Sequence, residues 1–119
     1  MKMVTKLFEF EAAHHLPIES AGKCQHPHGH SYKLEISIKG EINPETGMIV
    51  NFSDIKKLVN EKIIELFDHS YINDFFKKLP TAENMGDWIW DYIKSAGYDI
   101  CRIKLWETSD SYYERFEYE

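Results

Sequence analysis

Hydrophobic and polar residues alternate in two stretches of the N-terminal region, as in β-strands with one buried face. In KLFEFEAAH, Phe8, Phe10 and Ala12 alternate with glutamates, and this even-numbered series ends at His14. In HGHSYKLEISIKGE, the even-numbered positions from Tyr32 onward are apolar and alternate with lysine, glutamate and serine. A period of two predicts strands, and we expect this pair to form an antiparallel hairpin.

Two later stretches have hydrophobic residues at helical spacing. The first is SDIKKLVNEKIIELF, with Ser53 as its predicted N-cap; the second follows LPTAEN, with Thr81 as predicted N-cap, and should end at Gly97. Beyond it, DICRIKLWE and SYYERFEYE alternate again and predict a second hairpin. The order β-β-α-α-β-β predicts an α+β domain in two layers, a four-stranded antiparallel sheet with both helices between strands 2 and 3.

The predicted sheet has more surface than its helices can cover. We expect a single domain over residues 1–119, because no repeat or linker interrupts the chain. Two helices can cover only one face of four long strands, and the aromatic content of 14% is high for so short a chain. We therefore expect self-association through the sheet.

Charge and composition narrow the class of protein. The net charge of −6 and the pI near 5.5 argue against a general nucleic-acid or membrane surface. No apolar run resembles a signal peptide or approaches the roughly 20 residues of a membrane span, so we expect a cytoplasmic protein. Its two cysteines, Cys24 and Cys101, should then be reduced.

Three histidines are predicted to converge at one end of the first hairpin. His28 and His30 continue the apolar face of the second strand, and His14 continues that of the first. Three imidazoles with an open fourth position are typical of a catalytic zinc site, although other divalent ions that bind imidazole remain possible. His15 and His26 have the opposite parity and are left out of the metal site.

Three further positions carry ionisable groups that suggest chemistry. Cys24 lies beside Lys23 and near the predicted metal, so its thiol could act as a base or nucleophile, or instead be a fourth zinc ligand. Asp68 and His69 at the end of the first helix could form an acid–base relay, or simply a polar helix end. Glu107 lies on an apolar strand face and needs a partner, either a ligand with N–H donors or an intramolecular Arg or Lys.

Five motifs, FEAAH, CQHPHGH, FDHSYIN, PTAEN and LWET, together resemble the 6-pyruvoyl-tetrahydropterin synthase family in order and spacing. The resemblance covers almost the whole chain. It implies the tunnelling fold, in which β-β-α-α-β-β units trimerise into a barrel and two trimers stack as a homohexamer. It also implies that active sites form across subunit interfaces.

The resemblance implies a role for each of the motif residues. Carried over position by position, these roles are zinc binding by His14, His28 and His30, general base catalysis by Cys24, a proton relay of Asp68 with His69, and anchoring of the pterin 2-amino-pyrimidinone edge by Glu107. Many relatives have Arg where this chain has His15, which leaves the triphosphate contacts open. Lys23 and Thr81 are candidate substrate contacts, with a surface lysine and a helix cap as the alternatives.

The spacing Cys-x-x-x-His-Gly-His resembles that of the bacterial 6-carboxy-tetrahydropterin synthases of queuosine biosynthesis. This resemblance implies a zinc-dependent lyase that acts on 7,8-dihydroneopterin triphosphate and releases triphosphate and acetaldehyde. The 6-pyruvoyl enzymes have a longer spacer after the cysteine. A 6-pyruvoyl-tetrahydropterin synthase and a zinc-binding protein without catalysis are the two alternatives.

Overall fold

A long antiparallel hairpin organises the computed structural model, which describes the whole chain from Met1 to Glu119. Strand β1 (Met3–His14) pairs with β2 (His28–Lys39) without interruption, from Met3 opposite Lys39 to His14 opposite His28. The even-numbered side chains from Phe8 to His14 and from Tyr32 to Ile38 are buried or partly buried. The alternation in the sequence therefore predicted both strands and the face that each one buries.

Three more strands complete one sheet, in the order β3-β1-β2-β4-β5. Strands β4 (Ile100–Thr108) and β5 (Ser111–Phe116) are antiparallel to their neighbours, as predicted. The prediction of four strands was wrong by one, because β3 (Ser70–Tyr71) pairs in parallel with Ala12 and Ala13. Two residues are too few to produce an alternating pattern, so only the tertiary structure reveals this strand.

Both predicted helices are present. Helix α1 spans residues 52–67 as an α-helical segment (Phe52–Val59), a π-helical segment (Asn60–Ile64) and a last α-helical turn (Glu65–Phe67). Its N-cap is Asn51, whose Oδ1 accepts a hydrogen bond from Ser53 N, so the prediction of Ser53 as the cap was wrong.

The second helix begins and ends as expected. Helix α2 (Ala82–Ser95) starts at the predicted cap, where Thr81 Oγ1 accepts from Asn84 N at 3.1 Å. It ends just before Gly97, whose φ of +96° is a backbone conformation that favours glycine. None of the helices combines the length and the apolar composition that a membrane span requires.

The helices cover one face of the sheet and leave the other open. The covered face is the even-numbered side of β1 and β2, and the core formed there includes Phe10, Tyr32, Leu34, Ile36, Val59, Phe67, Ile89, Trp90 and Ile103. On the opposite face Leu7 is 51% exposed and Phe116 is 57% exposed. One uncovered face is what the sequence predicted, and self-association through the sheet stays a prediction.

Close contact between Gly86 of α2 and Tyr113 of β5 allows a test of this packing. A Cβ atom at Gly86 would lie 2.6 Å from Tyr113 Cδ2, so Gly86→Ala should lower the free energy of unfolding by about 1–3 kcal/mol. In a Tyr113→Ala background the ring is gone, and the same change should raise stability by about 0.5–1 kcal/mol through helix propensity. Urea unfolding of the four proteins measures both values, and equal losses in the two backgrounds would contradict the contact.

Candidate metal centre

Strand register places His14, His28 and His30 at one end of the hairpin. His14 lies directly opposite His28, and His30 lies opposite Ala12, two residues before His14 on the same face. The three side chains each offer a nitrogen, and these atoms lie within 4.8 Å of one another. The convergence predicted from parity is therefore present in the structure.

Backbone carbonyls fix which nitrogen of two of these imidazoles carries hydrogen. His14 Nδ1 is 2.7 Å from Pro80 O, and His28 Nδ1 is 2.8 Å from His26 O. Since a carbonyl oxygen can only accept, each Nδ1–H is the donor, and each neutral ring then has its lone pair on Nε2. Such a backbone acceptor on the second ring nitrogen is a common feature of metal-binding histidines.

The two lone pairs point toward each other across a short gap. His14 Nε2 and His28 Nε2 are 3.1 Å apart, close to the roughly 3.3 Å between two nitrogens that bind one tetrahedral zinc at ordinary Zn–N distances. Either a proton or a metal cation between them removes the repulsion. Burial lowers the pKa of His14 and, together with its histidine neighbours, that of His30, which disfavours the proton.

His30 completes the fit to a metal. Its Nε2 is buried and has no hydrogen-bond partner in the chain, although Glu107 Oε1 lies 3.2 Å away without hydrogen-bond alignment. An unpartnered buried ring nitrogen beside two others is well suited to a cation. The donor set of three imidazoles therefore fits zinc or another divalent ion that accepts nitrogen.

Glu107 lies beside this cluster, at the end of β4. Its side chain is 27% exposed, and the ionisable group nearest to it is the imidazole of His30. Neither an Arg nor a Lys pairs with it, so the intramolecular partner considered from the sequence is not present. The negative charge also acts on its surroundings, since burial and Glu107 together raise the pKa of Tyr32. A half-buried carboxylate without a hydrogen-bond donor is costly and has room for a ligand that supplies one.

The candidate relay lies farther along β1. Asp68 Oδ2 is 2.9 Å from His69 Nδ1, so the predicted pair forms. Asp68 Oδ1 accepts from Glu11 N at 2.9 Å, and this bond is the main cause of the lowered pKa of Asp68. His69 is 81% exposed, with a φ of +56°. The pair is therefore at the outer edge of β1 and outside the metal group of its own chain.

The other candidate residues from the sequence, and the second cysteine, lie outside the histidine cluster. Cys24 is partly buried in a 3₁₀ segment (Glu19–Gln25) and is not in the metal group, so the arrangement favours a thiol separate from the ligands. Lys23 is exposed beside it, and Thr81 serves as the helix cap described above. Cys101 is buried and forms no disulfide with Cys24, as expected of a small core residue.

Sequence reasoning missed two groups at the site. Pro80 acts through its carbonyl oxygen, which no side-chain pattern can reveal. Tyr32, predicted only as a core residue, has its hydroxyl oxygen 3.5 Å from His14 Nδ1. Tyr32 is two residues from His30 and therefore lies on the same strand face. This alternation could have identified Tyr32 as a neighbour of the histidines from the sequence.

Comparison with known proteins identifies the family. The model described as 6-pyruvoyl tetrahydropterin synthase matches residues 3–117. The chain belongs to this family. The resemblance found in the five sequence motifs is thereby confirmed.

Relatives of this pterin synthase family carry two names. A putative 6-carboxy-5,6,7,8-tetrahydropterin synthase of Archaeoglobus fulgidus is 35% identical over 105 residues, which cover 88% of this chain and 87% of that protein. The 6-pyruvoyl tetrahydrobiopterin synthase of Pongo abelii is 32% identical over 126 residues, with 91% and 86% covered. Relatives named for two different products are thus similar to this chain at nearly the same sequence identity.

A solved structure confirms the fold. The 6-pyruvoyl tetrahydropterin synthase of Caenorhabditis elegans superposes with a TM-score of 0.83 at 25% identity, covering 98% of this chain and 97% of that one. The tunnelling fold implied by the motifs is therefore the fold of this family member, with the additional short strand β3.

Zinc titration tests the metal centre. The purified chain should bind about one equivalent of Zn²⁺, and His28→Ala should abolish high-affinity binding because it removes one of the paired lone pairs. His26→Ala is the matched control, since only the His26 carbonyl contacts the cluster. Competition with a chromophoric chelator measures the affinities. Equal zinc affinity in both variants would contradict the assignment of His28.

Proposed function

We propose that this chain is a zinc-dependent 6-carboxy-5,6,7,8-tetrahydropterin synthase that acts on 7,8-dihydroneopterin triphosphate and releases triphosphate and acetaldehyde. The observation that carries the proposal is the three-imidazole cluster in a chain of this family. The three-residue spacer between Cys24 and His28 favours the 6-carboxy product and a role in queuosine biosynthesis.

His14, His28 and His30 would hold the metal. When bound, zinc would act as a Lewis acid toward the hydroxyl oxygens of the substrate side chain. The hydrogen bonds from His14 to Pro80 O and from His28 to His26 O keep both rings oriented with Nε2 toward the site.

Cys24 would take the proton from the substrate side chain. The backbone places its segment near the metal end of β1, since Leu16 N donates to Cys24 O at 2.6 Å and Leu16 follows His14 by two residues. A thiol near a bound cation has its thiolate favoured, which suits a general base. Its separation from the metal group supports this role over that of a fourth ligand.

Asp68 and His69 would move protons as the leaving groups depart. The pair lies at the outer edge of β1 and is not part of the metal group of the same chain. This separation supports an active site in which a neighbouring subunit brings its relay to the zinc, as in the homohexamer implied by the family resemblance. The uncovered sheet face and the free edge of β5 are surfaces available for such assembly.

Glu107 would hold the pterin by its amino-pyrimidinone edge. The carboxylate has no hydrogen-bond donor in the chain, and two adjacent N–H groups of a pterin supply a matching pair. Lys23 is exposed and unpaired, so it remains a candidate contact for triphosphate, and Thr81 is a candidate that already serves as the cap of α2.

Product analysis tests the reaction. Incubation of the zinc-loaded protein with dihydroneopterin triphosphate should release acetaldehyde, detected by coupled reduction with an alcohol dehydrogenase. A 6-pyruvoyl product without acetaldehyde would instead assign the other activity of the family. Bound zinc without turnover would identify a zinc-binding protein and overturn the catalytic proposal.

Cys24→Ala should separate metal binding from catalysis. Loss of a general base should lower kcat by about 10²–10⁴-fold, while zinc content should stay the same because the thiol is outside the ligand group. Cys101→Ala is the matched control and should keep its turnover, since Cys101 is buried in the core. Loss of zinc from the Cys24 variant would show that the thiol is a ligand and not the base.

Glu107→Gln should weaken pterin binding. Replacing the carboxylate with an amide removes one acceptor of a charge-assisted pair, which corresponds to a rise in substrate Kd of about 10–100-fold. Glu61→Gln is the control, because Glu61 is exposed on α1, away from the metal group and from the uncovered face of the sheet. Unchanged Kd in the Glu107 variant, measured by fluorescence titration with the pterin, would rule out the anchor.

A further inference from the structure

The segment from Asp68 to Asn73 runs beside β1 for longer than the two-residue strand β3 suggests. His69 N donates to Glu11 O at 2.6 Å, and Asp68 Oδ1 accepts from Glu11 N. The β3 residues then pair with Ala12 and Ala13. Glu11, Ala12 and Ala13 therefore all pair with this segment along the outer edge of β1, up to the residue before the metal ligand His14.

The side chain of Asn73 continues this pairing beyond β3. Its Oδ1 accepts from His15 N at 2.8 Å, and its Nδ2 donates to His15 O at 2.9 Å. The carboxamide therefore binds both backbone groups of His15, as a neighbouring strand would. Both polar groups of the side chain are used, across a sequence separation of 58 residues.

These two bonds lie where β1 loses its other neighbour. His14 opposite His28 is the last pair of the β1–β2 ladder, so β2 gives no support to the backbone beyond the ligand. Strand ends fray where their hydrogen bonds stop. The Asn73 amide holds the chain at the next residue, and the Pro80 carbonyl holds the His14 ring.

We propose that Asn73 is a positioning residue of the metal centre, which fixes the end of β1 and thereby the place of His14 relative to His28. The proposal rests on the metal-dependent function proposed above. The same segment carries Asp68 and His69 at its beginning. The relay pair and Asn73 thus belong to one segment, which is bonded to Glu11 at its start and to His15 at its end.

Zinc affinity distinguishes positioning from a general contribution to stability. Asn73→Ala removes both bonds to His15 and should raise the Kd for Zn²⁺ by about 10–100-fold, the usual effect of losing a residue that supports a metal ligand. Asn51→Ala is the matched control, because it removes the cap of α1 and costs stability away from the histidines. The control should bind zinc with the Kd of the unmodified protein.

A second variant keeps the shape of the side chain. Asn73→Asp can still accept from His15 N, but its other oxygen would face His15 O at the 2.9 Å where Asn73 donates. It should therefore also weaken zinc binding. The absorption spectrum of the Co²⁺-substituted protein should change in intensity in both variants and not in the control, because it reports the ligand geometry.

The outcomes separate the two proposals. Unchanged zinc affinity and cobalt spectrum in folded Asn73 variants would overturn the positioning role and leave the metal centre intact. Loss of folding in both Asn73 variants, with a folded Asn51 control, would make Asn73 a folding residue and equally overturn it. Failure of the unmodified protein to bind Zn²⁺ or Co²⁺ would refute the metal centre itself.

Discussion

The uninterrupted register between β1 and β2 is the constraint on which the rest of the structure depends. Twelve consecutive pairs run from Met3 with Lys39 to His14 with His28. The same alternation that buries Phe10 and Tyr32 also directs the imidazoles to the covered face. A slip of one residue would move the core side chains and the metal ligands of one strand to the exposed face together. Folding and site formation are therefore specified by one pattern.

Burial of the histidines connects this pattern to metal chemistry. Burial lowers the pKa of His14, and the Pro80 and His26 carbonyls accept from Nδ1 of His14 and His28, so the Nε2 atoms of the two rings face each other 3.1 Å apart. The polypeptide alone leaves this arrangement unbalanced, and a cation balances it. Metal binding should therefore contribute directly to the stability of the folded chain.

Regular periodicity made much of this structure predictable. The period of two placed both long strands and the three histidines, and Thr81 marked the start of α2 correctly. Features that depend on one specific contact could not be predicted in this way. Strand β3 forms because β1 has a free outer edge, and Asn51 displaces Ser53 as a cap because the local backbone lets its side chain reach the first turn.

Glu107 shows a different limit of sequence reasoning. The alternation in β4 predicted the strand face on which Glu107 lies and its partial burial. It did not predict which side chain of β2 lies next to Glu107, because that depends on how β2 pairs with β4. The nearest ionisable group is the imidazole of His30 and not an Arg or Lys. A partner across strands depends on register between segments far apart in sequence, which composition and spacing do not encode.

The origin of all three histidines in one hairpin also bears on the order of assembly. Their strands are adjacent in sequence, so only the connection of residues 15–27 between β1 and β2 has to close before the imidazoles meet. Closing this loop costs less chain entropy than closing a longer one, and contacts of lower sequence separation tend to form earlier in folding. The carboxylate of β4 and the segment after α1 join through contacts of much longer range. A metal could therefore be captured by the nascent hairpin and act as a nucleus around which the later strands gather.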